Sequence, residues 1–206
     1  AAESNSIAVG QTATAANNNS IAVGTKTVSR GDNAIGIGAY AESTGLRSTA
    51  VGVLSQANGA GSFAGGASAH ATGENSVAIG GALNGTLGNK AGSAAKAVGN
   101  NSIAVGSDST ANKTADIAVG YSAEANGTST GSDGDGVVNN AGSAMAIGTD
   151  SQATGIVATA IGERAQALAN GAVALGGDAQ AKKGSDVAIG RGSVADGTSA
   201  AAFGPA

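Results

Sequence analysis

A glycine recurs every fourteen residues along most of this chain, and no other feature restricts its fold as tightly. Gly10, Gly24, Gly38, Gly52, Gly66 and Gly80 share one register, Gly106 and Gly120 follow at the same spacing, and Gly148, Gly162, Gly176, Gly190 and Gly204 resume it. Each glycine closes a short motif, written first as Ser6-Ile7-Ala8-Val9-Gly10 and again as Ser20-Ile21-Ala22-Val23-Gly24. A fixed period of this kind signals a solenoid, whose units are too small to bury their own faces and do so by stacking.

Stacking the copies separates the residues into columns. One bulky column holds Ile7, Ile21, Ile35, Phe63, Val77, Ile103, Ile117, Met145, Val173 and Val187; a second holds Val9, Val23, Ile37, Val51, Ile79, Val105, Val119, Ile147, Ile161, Leu175, Ile189 and Phe203. They lie two residues apart, which places both on one face of a strand. Between them runs a small column: Ala8, Ala22, Gly36, Ala50, Ala64, Ala78, Ala104, Ala118, Ala146, Ala160, Ala174, Ala188 and Ala202. A half-exposed strand would carry polar residues there, so uniform smallness predicts a closely packed surface on the second face as well.

The other half of the repeat reads as a second strand. Ala13 and Ala15, Ala41 and Ser43, Ala69 and Ala71, Ala123 and Ala125, and Ala165 and Ala167 alternate with Thr14, Glu42, His70, Glu124 and Gln166, a small inward side against a solvated outward one. Gly31, Gly45, Gly59, Gly73, Gly127, Gly155 and Gly197 mark turns. The predicted fold is all-β: one parallel β-roll array over residues 1–206 with 14-residue repeats. The copy at Phe63-Ala64-Gly65 lacks its second bulky residue and predicts a local defect or a compensating contact.

The register breaks twice. Gly80 and Gly106 are 26 residues apart and Gly120 and Gly148 are 28 apart, which predicts insertions at residues 81–101 and 128–140. The second interval is twice the period, so a degenerate coil is the alternative to a loop. The stretch Gly131-Ser132-Asp133-Gly134-Asp135-Gly136 resembles calcium-wrapping loops only weakly, because its acidic pattern is not iterated.

Composition narrows the function. The chain has 36 Gly, two Phe, two Tyr and no Trp, so long helices and a thick aromatic core are both disfavoured; its one proline, Pro205, spares the ladders. A formal charge of -4 gives no basic face for nucleic acid, and no apolar run approaches the ~20 residues that cross a bilayer. One histidine, His70, on the outward column, and no cysteine leave no convergent group for catalysis, so we expect no enzyme, no cofactor and no metal. An ice-binding coil is disfavoured too, since the outward column runs Thr14, Val28, Glu42, Gln56 and His70 instead of a threonine ladder.

The repeated Ser-Ile-Ala-Val-Gly and its variant Asn75-Ser76-Val77-Ala78-Ile79-Gly80 resemble the head repeats of the YadA-like trimeric autotransporter adhesins, over nearly the whole chain. The resemblance implies a left-handed roll, a homotrimer about a common axis, and a fibre projecting from the outer membrane of a Gram-negative bacterium. That family's coiled-coil stalk, neck and barrel anchor are not among these residues, so this segment itself is expected to make no membrane contact. The trimer offers a place for the small column: Ala8, Ala22, Ala50, Ala78, Ala104, Ala118, Ala146, Ala160, Ala174 and Ala188 are expected at the three-fold interface, with the bulky columns filling each roll. The opposite facing would bury both sides equally well.

The function expected is an adhesive head that attaches to host cell-surface or extracellular matrix proteins, with Tyr40, Leu54 and Tyr121 at outward positions as candidate contacts. The alternative is a structural spacer that binds nothing itself.

Overall fold

The structure is a computed structural model that describes residues 4–81, 93–127 and 142–204. Every element among the described residues is a short parallel strand, and no helix interrupts them. The chain divides into two compact units, Ala1–Asp108 and Ser109–Ala206.

In the first unit the long strands are Ile7–Val9, Ile21–Val23, Ile35–Ile37, Thr49–Val51, Phe63–Gly65, Val77–Ile79 and Ile103–Val105. Each pairs in parallel with the next at one repeat's offset, as Ile21 with Ile35 and Ala50 with Ala64. The short strands Thr14–Ala15, Val28–Ser29, Glu42–Ser43, Gln56–Ala57, His70–Ala71 and Lys96–Ala97 form a second parallel ladder. The second unit repeats the plan. Its long strands are Ile117–Val119, Met145–Ile147, Thr159–Ile161, Val173–Leu175, Val187–Ile189 and Ala201–Phe203, and its short strands run from Thr110–Ala111 to Val194–Ala195. The predicted parallel roll is the observed fold.

The period is enforced at the glycines. Gly38 has φ of +127°, where L side chains are strained, and a Cβ built on it would lie 2.5 Å from the carbonyl oxygen of Gly52. At the other turn, a Cβ on Gly45 would overlap the carbonyl of Gly59. Backbone therefore stacks directly on backbone at both turns. The residues that follow turn in the left-handed region, Asn33 at φ 57° and Asn75 at φ 52°, a conformation asparagine tolerates better than most residues.

The facing of the long strand differs from the expectation. Ala22, Ala50, Ala78 and Ala104 in the first unit, and Ala118, Ala146, Ala160, Ala174 and Ala188 in the second, have no exposed surface within the single chain. They line the inside of the roll, opposite Ala57, Ala71, Ala125 and Ala167. Ala8, on the first coil, is half-buried on the same side. The interface assignment of this column is therefore corrected: these alanines are core. The Ile and Val columns point outward. The physical reason is space, since fourteen residues close a loop too narrow for more than one Cβ layer per strand. At Gly36 an added Cβ would meet Ser29 Oγ at 2.7 Å and Thr27 Cγ2 at 3.0 Å, so even alanine is tight there and isoleucine has no room.

The interruptions enter at turns. Lys96–Ala97 pairs with His70–Ala71, and the Ala95 N–H donates to the Gly80 carbonyl at 3.1 Å, the bond that the Ala41 N–H makes to Gly38 in a regular coil. Residues 93–101, assigned to the first insertion, are thus an ordinary half coil. The excess is 26 − 14 = 12 residues, at the turn after a long strand. Residues 82–92 of that segment, and the whole of 128–140, lie outside the described residues. Ile117 pairs directly with Met145, so no coil intervenes between those long strands, and the degenerate-coil alternative is set aside.

Candidate functional surface

With alanine inside, the two bulky columns form an outward aliphatic face on each unit. On the first, Ile7, Val9, Ile37, Val51 and Ile79 are exposed, Ile37 by 42 % and Ile79 by 43 %; on the second, Ile161, Ile189 and Phe203 are. Parallel register sets like residues about 4.8 Å apart along this face, making the apolar surface continuous within each unit. At the anomalous copy the Phe63 ring lies over Gly65, where a Cβ would meet Cε1 at 2.8 Å. The ring covers the surface that a second aliphatic side chain covers elsewhere, which is the compensating contact the sequence predicts. Contiguous exposed apolar surface of this kind marks association.

The turn after each long strand carries Tyr40 and Leu54 on consecutive coils of the first unit. Both adopt left-handed backbone, φ 60° and 59°, held by N–H bonds to the carbonyls one coil earlier, Tyr40 to Thr25 at 2.9 Å and Leu54 to Ala39 at 3.0 Å. About half of each side chain's residue surface is exposed. Lys26 sets its ammonium 5.3 Å from the centre of the Tyr40 ring, an attraction between cation and ring face. Exposed Val53 extends this patch. Tyr121 belongs to the second unit and directly follows its register glycine, one position earlier in the turn than Tyr40 and Leu54. The three candidates thus do not occupy one equivalent ladder.

His70 stands on the outward column between Gln56 and Lys96. Partial burial, reinforced by the Lys96 ammonium, holds its pKa below the ordinary 6.5. It is half-buried and has no carboxylate partner that would tune it as a base.

The carboxylates are not all surface groups. Asp116 and Asp186 are fully buried, in the place that serine takes in the motifs opening at Ser20 and Ser76. Those serines donate back to the carbonyl three residues earlier, Ser20 to Asn17 and Ser76 to Gly73, each at 2.7 Å. The aspartates accept instead. Asp116 takes N–H bonds from Lys113 at 2.8 Å, Gly127 at 3.3 Å and Ala144 at 2.9 Å; Asp186 takes them from Lys183 and Ala200, both at 2.9 Å. Asp116 therefore ties together both flanks of the second interruption. The signal was legible, since Asp116-Ile117-Ala118-Val119-Gly120 replaces Ser with Asp inside a recognised motif. Burial raises the Asp116 pKa above 3.8 despite the three donors. No group of three or more metal-ligating side chains occurs among the described residues, and the Asp133 and Asp135 stretch lies outside them.

Shallow ladders, a continuous apolar face and no deep catalytic cleft among the described residues define a repeat protein of the β-roll class that works by surface contact. A family model for the YadA head domain repeat (2 copies) matches residues 1–27, 29–55, 43–69, 57–82, 91–109, 158–179 and 181–206, and the chain belongs to that family. Among solved structures it is similar to the collagen-binding domain of the Yersinia adhesin YadA, at 26 % identity over 78 % of this chain and 68 % of that one, with a TM-score of 0.52. No curated protein sequence matches it. The family and the solved relative support an adhesin-type function and place it with bacterial surface proteins.

Proposed function

We propose that this chain is the adhesive head of a trimeric autotransporter, projecting from the outer membrane of a Gram-negative bacterium and attaching it to host cells or extracellular matrix. The observation that carries the reading is the outward aliphatic face. A monomer in water has no use for rows of exposed Ile and Val, whereas three copies arranged about an axis bury them against one another. The interface is thus assigned to the bulky columns in place of the alanines, which the roll itself buries.

Trimerisation also suits adhesion by weak patches. Each patch is presented three times on one rigid body, so avidity exceeds single-site affinity without a deep pocket. Tyr40 and Leu54, with Tyr121 on the second unit, are the proposed contact residues. The collagen named for the solved relative supports a matrix protein as the class of ligand.

The test is light scattering on the purified chain, followed by binding to matrix-coated surfaces. A trimer that adheres, and that loses adhesion when Tyr40 and Leu54 become serine, supports the proposal. A folded monomer removes the trimer, and a folded trimer that adheres to nothing makes the array a spacer.

A further inference from the structure

The turn after each short strand sets one left-handed residue outward per coil, and in the first unit these are Asn19, Asn33, Arg47, Gly61, Asn75 and Asn101. Gly61 has no side chain and Ala60 before it ends at Cβ, so one rung of the ladder is missing. The backbone runs on unbroken, with the Gly61 N–H donating to Leu46 and the Asn75 N–H to Ala60, both at 2.8 Å. What results is a surface notch of about 410 Å³ lined by Arg47, Ala60, Gly61, Glu74 and Asn75. On this rung also lies Ser62, whose buried hydroxyl has no hydrogen-bond partner among the described residues, unlike the serines at 20, 48, 76 and 102.

The walls of the notch are charged and opposite. Arg47 and Glu74 are exposed and make no ion pair among the described residues, although other pairs on the same surface do. Two coil steps separate them, about 9.6 Å at the ordinary spacing of neighbouring strands. A polyproline II chain has three residues per turn and rises ~3.1 Å per residue, so side chains three apart emerge on one side about 9.3 Å from each other. In an extended strand, same-side residues are only about 6.7 Å apart.

We propose that this notch is a binding site for a partner chain in the polyproline II conformation that presents an acidic and a basic side chain three residues apart. The acidic side chain pairs with the Arg47 guanidinium, whose forked donors fit a carboxylate, and the basic one pairs with Glu74. The ridge between them lies on the bare floor of Ala60 and Gly61. Its backbone carbonyls, which polyproline II leaves without internal partners, accept from the Asn75 amide. The proposal deepens the adhesive reading above and rests on it for the claim that the partner is an external protein.

The experiment uses the whole chain and two blocked proline-rich octapeptides, each with one Glu and one Lys, spaced three apart in one and two apart in the other. Backbone amide shifts at Ala60, Gly61 and Asn75 report occupancy. We expect saturable shifts with the three-spaced peptide, and affinity weaker by about tenfold or more with the two-spaced peptide and in Arg47→Glu. Gly61→Asn is the decisive variant. It restores the residue found at Asn33 and Asn75 in the same left-handed conformation, so it should fold with an unchanged melting temperature while filling the notch. Absence of shifts at these amides at millimolar peptide, equal affinity for both spacings, or full binding by folded Gly61→Asn overturns the site. Adhesion of the unsubstituted chain and of Gly61→Asn to matrix-coated surfaces separates the two readings. Equal adhesion by both discards the notch and keeps the adhesin, whereas no adhesion by either discards the adhesin whatever the peptides do.

Discussion

Gly36 shows how little freedom a coil interior allows. Every other regular long strand among the described residues has alanine at this central place, and the glycine occurs where the facing strand carries Thr27 and Ser29 instead of the smaller Ala41 or Ala57 found elsewhere. The sum of volumes across the roll is what is held constant. We expect Gly36→Ala to cost about 1–3 kcal/mol by overpacking, measured by denaturant unfolding. Ser29→Ala should restore most of the loss, because it removes the oxygen that the new methyl would meet. Unequal but additive costs in the double variant would show that the two do not touch.

Asp116 makes a second case. Replacing it with alanine strands three buried N–H groups, at a cost of about 2 kcal/mol or more. Its pKa is raised in the fold, so the protonated form is favoured there over the unfolded chain. Its contribution is then fully present below the ordinary carboxylate value of 3.8 and declines as pH rises through the folded pKa. The difference in unfolding free energy between the unsubstituted chain and Asp116→Ala should therefore shrink from pH 3.5 toward pH 7. A difference that grows over that range would mean that hydrogen bonding outweighs desolvation.

At the scale of elements, each strand is two or three residues long and has no independent existence. Its neighbours in the ladder set both its conformation and its electrostatics. The Lys96 that stacks on His70 arrives 26 residues later in sequence yet occupies the rung directly beside it. Lys96→Gln should raise the His70 pKa toward 6.5 without reaching it, since burial is the larger cause and persists. An NMR titration of the single histidine reads this directly, and no movement would show that the two side chains avoid each other. The turns tolerate interruption because the ladder closes on either side of it, at Ala95 for the first and through the Asp116 carboxylate for the second.

For the molecule as a whole, the proposed interface makes a sharp distinction between substitutions one residue apart. Ile79→Lys puts charge on the outward face and should give a folded monomer by light scattering, since a lone coil surface tolerates lysine. Ala78→Lys puts it inside the roll and should cost several kcal/mol and unfold that coil, because no partner awaits the charge there. Had the alanines formed the interface, the two outcomes would be exchanged. Circular dichroism alongside scattering tells them apart.

The sequence by itself determined the period, the two strands per coil, the parallel ladders and the turns, because each is a local rule repeated until chance is excluded. It also marked Gly65 as a place needing compensation, which the Phe63 ring supplies. Only the tertiary structure decided which face of the long strand is inside. Alternation places Ile7 and Val9 opposite Ala8 but carries no sign, and habit assigns the bulky side to the core. The sign comes from the narrowness of a coil closed by fourteen residues, which admits one Cβ layer per strand and turns the larger side chains out. The buried aspartates and the notch at Gly61 depend likewise on which rungs become neighbours, a relation that appears only when the coils are stacked.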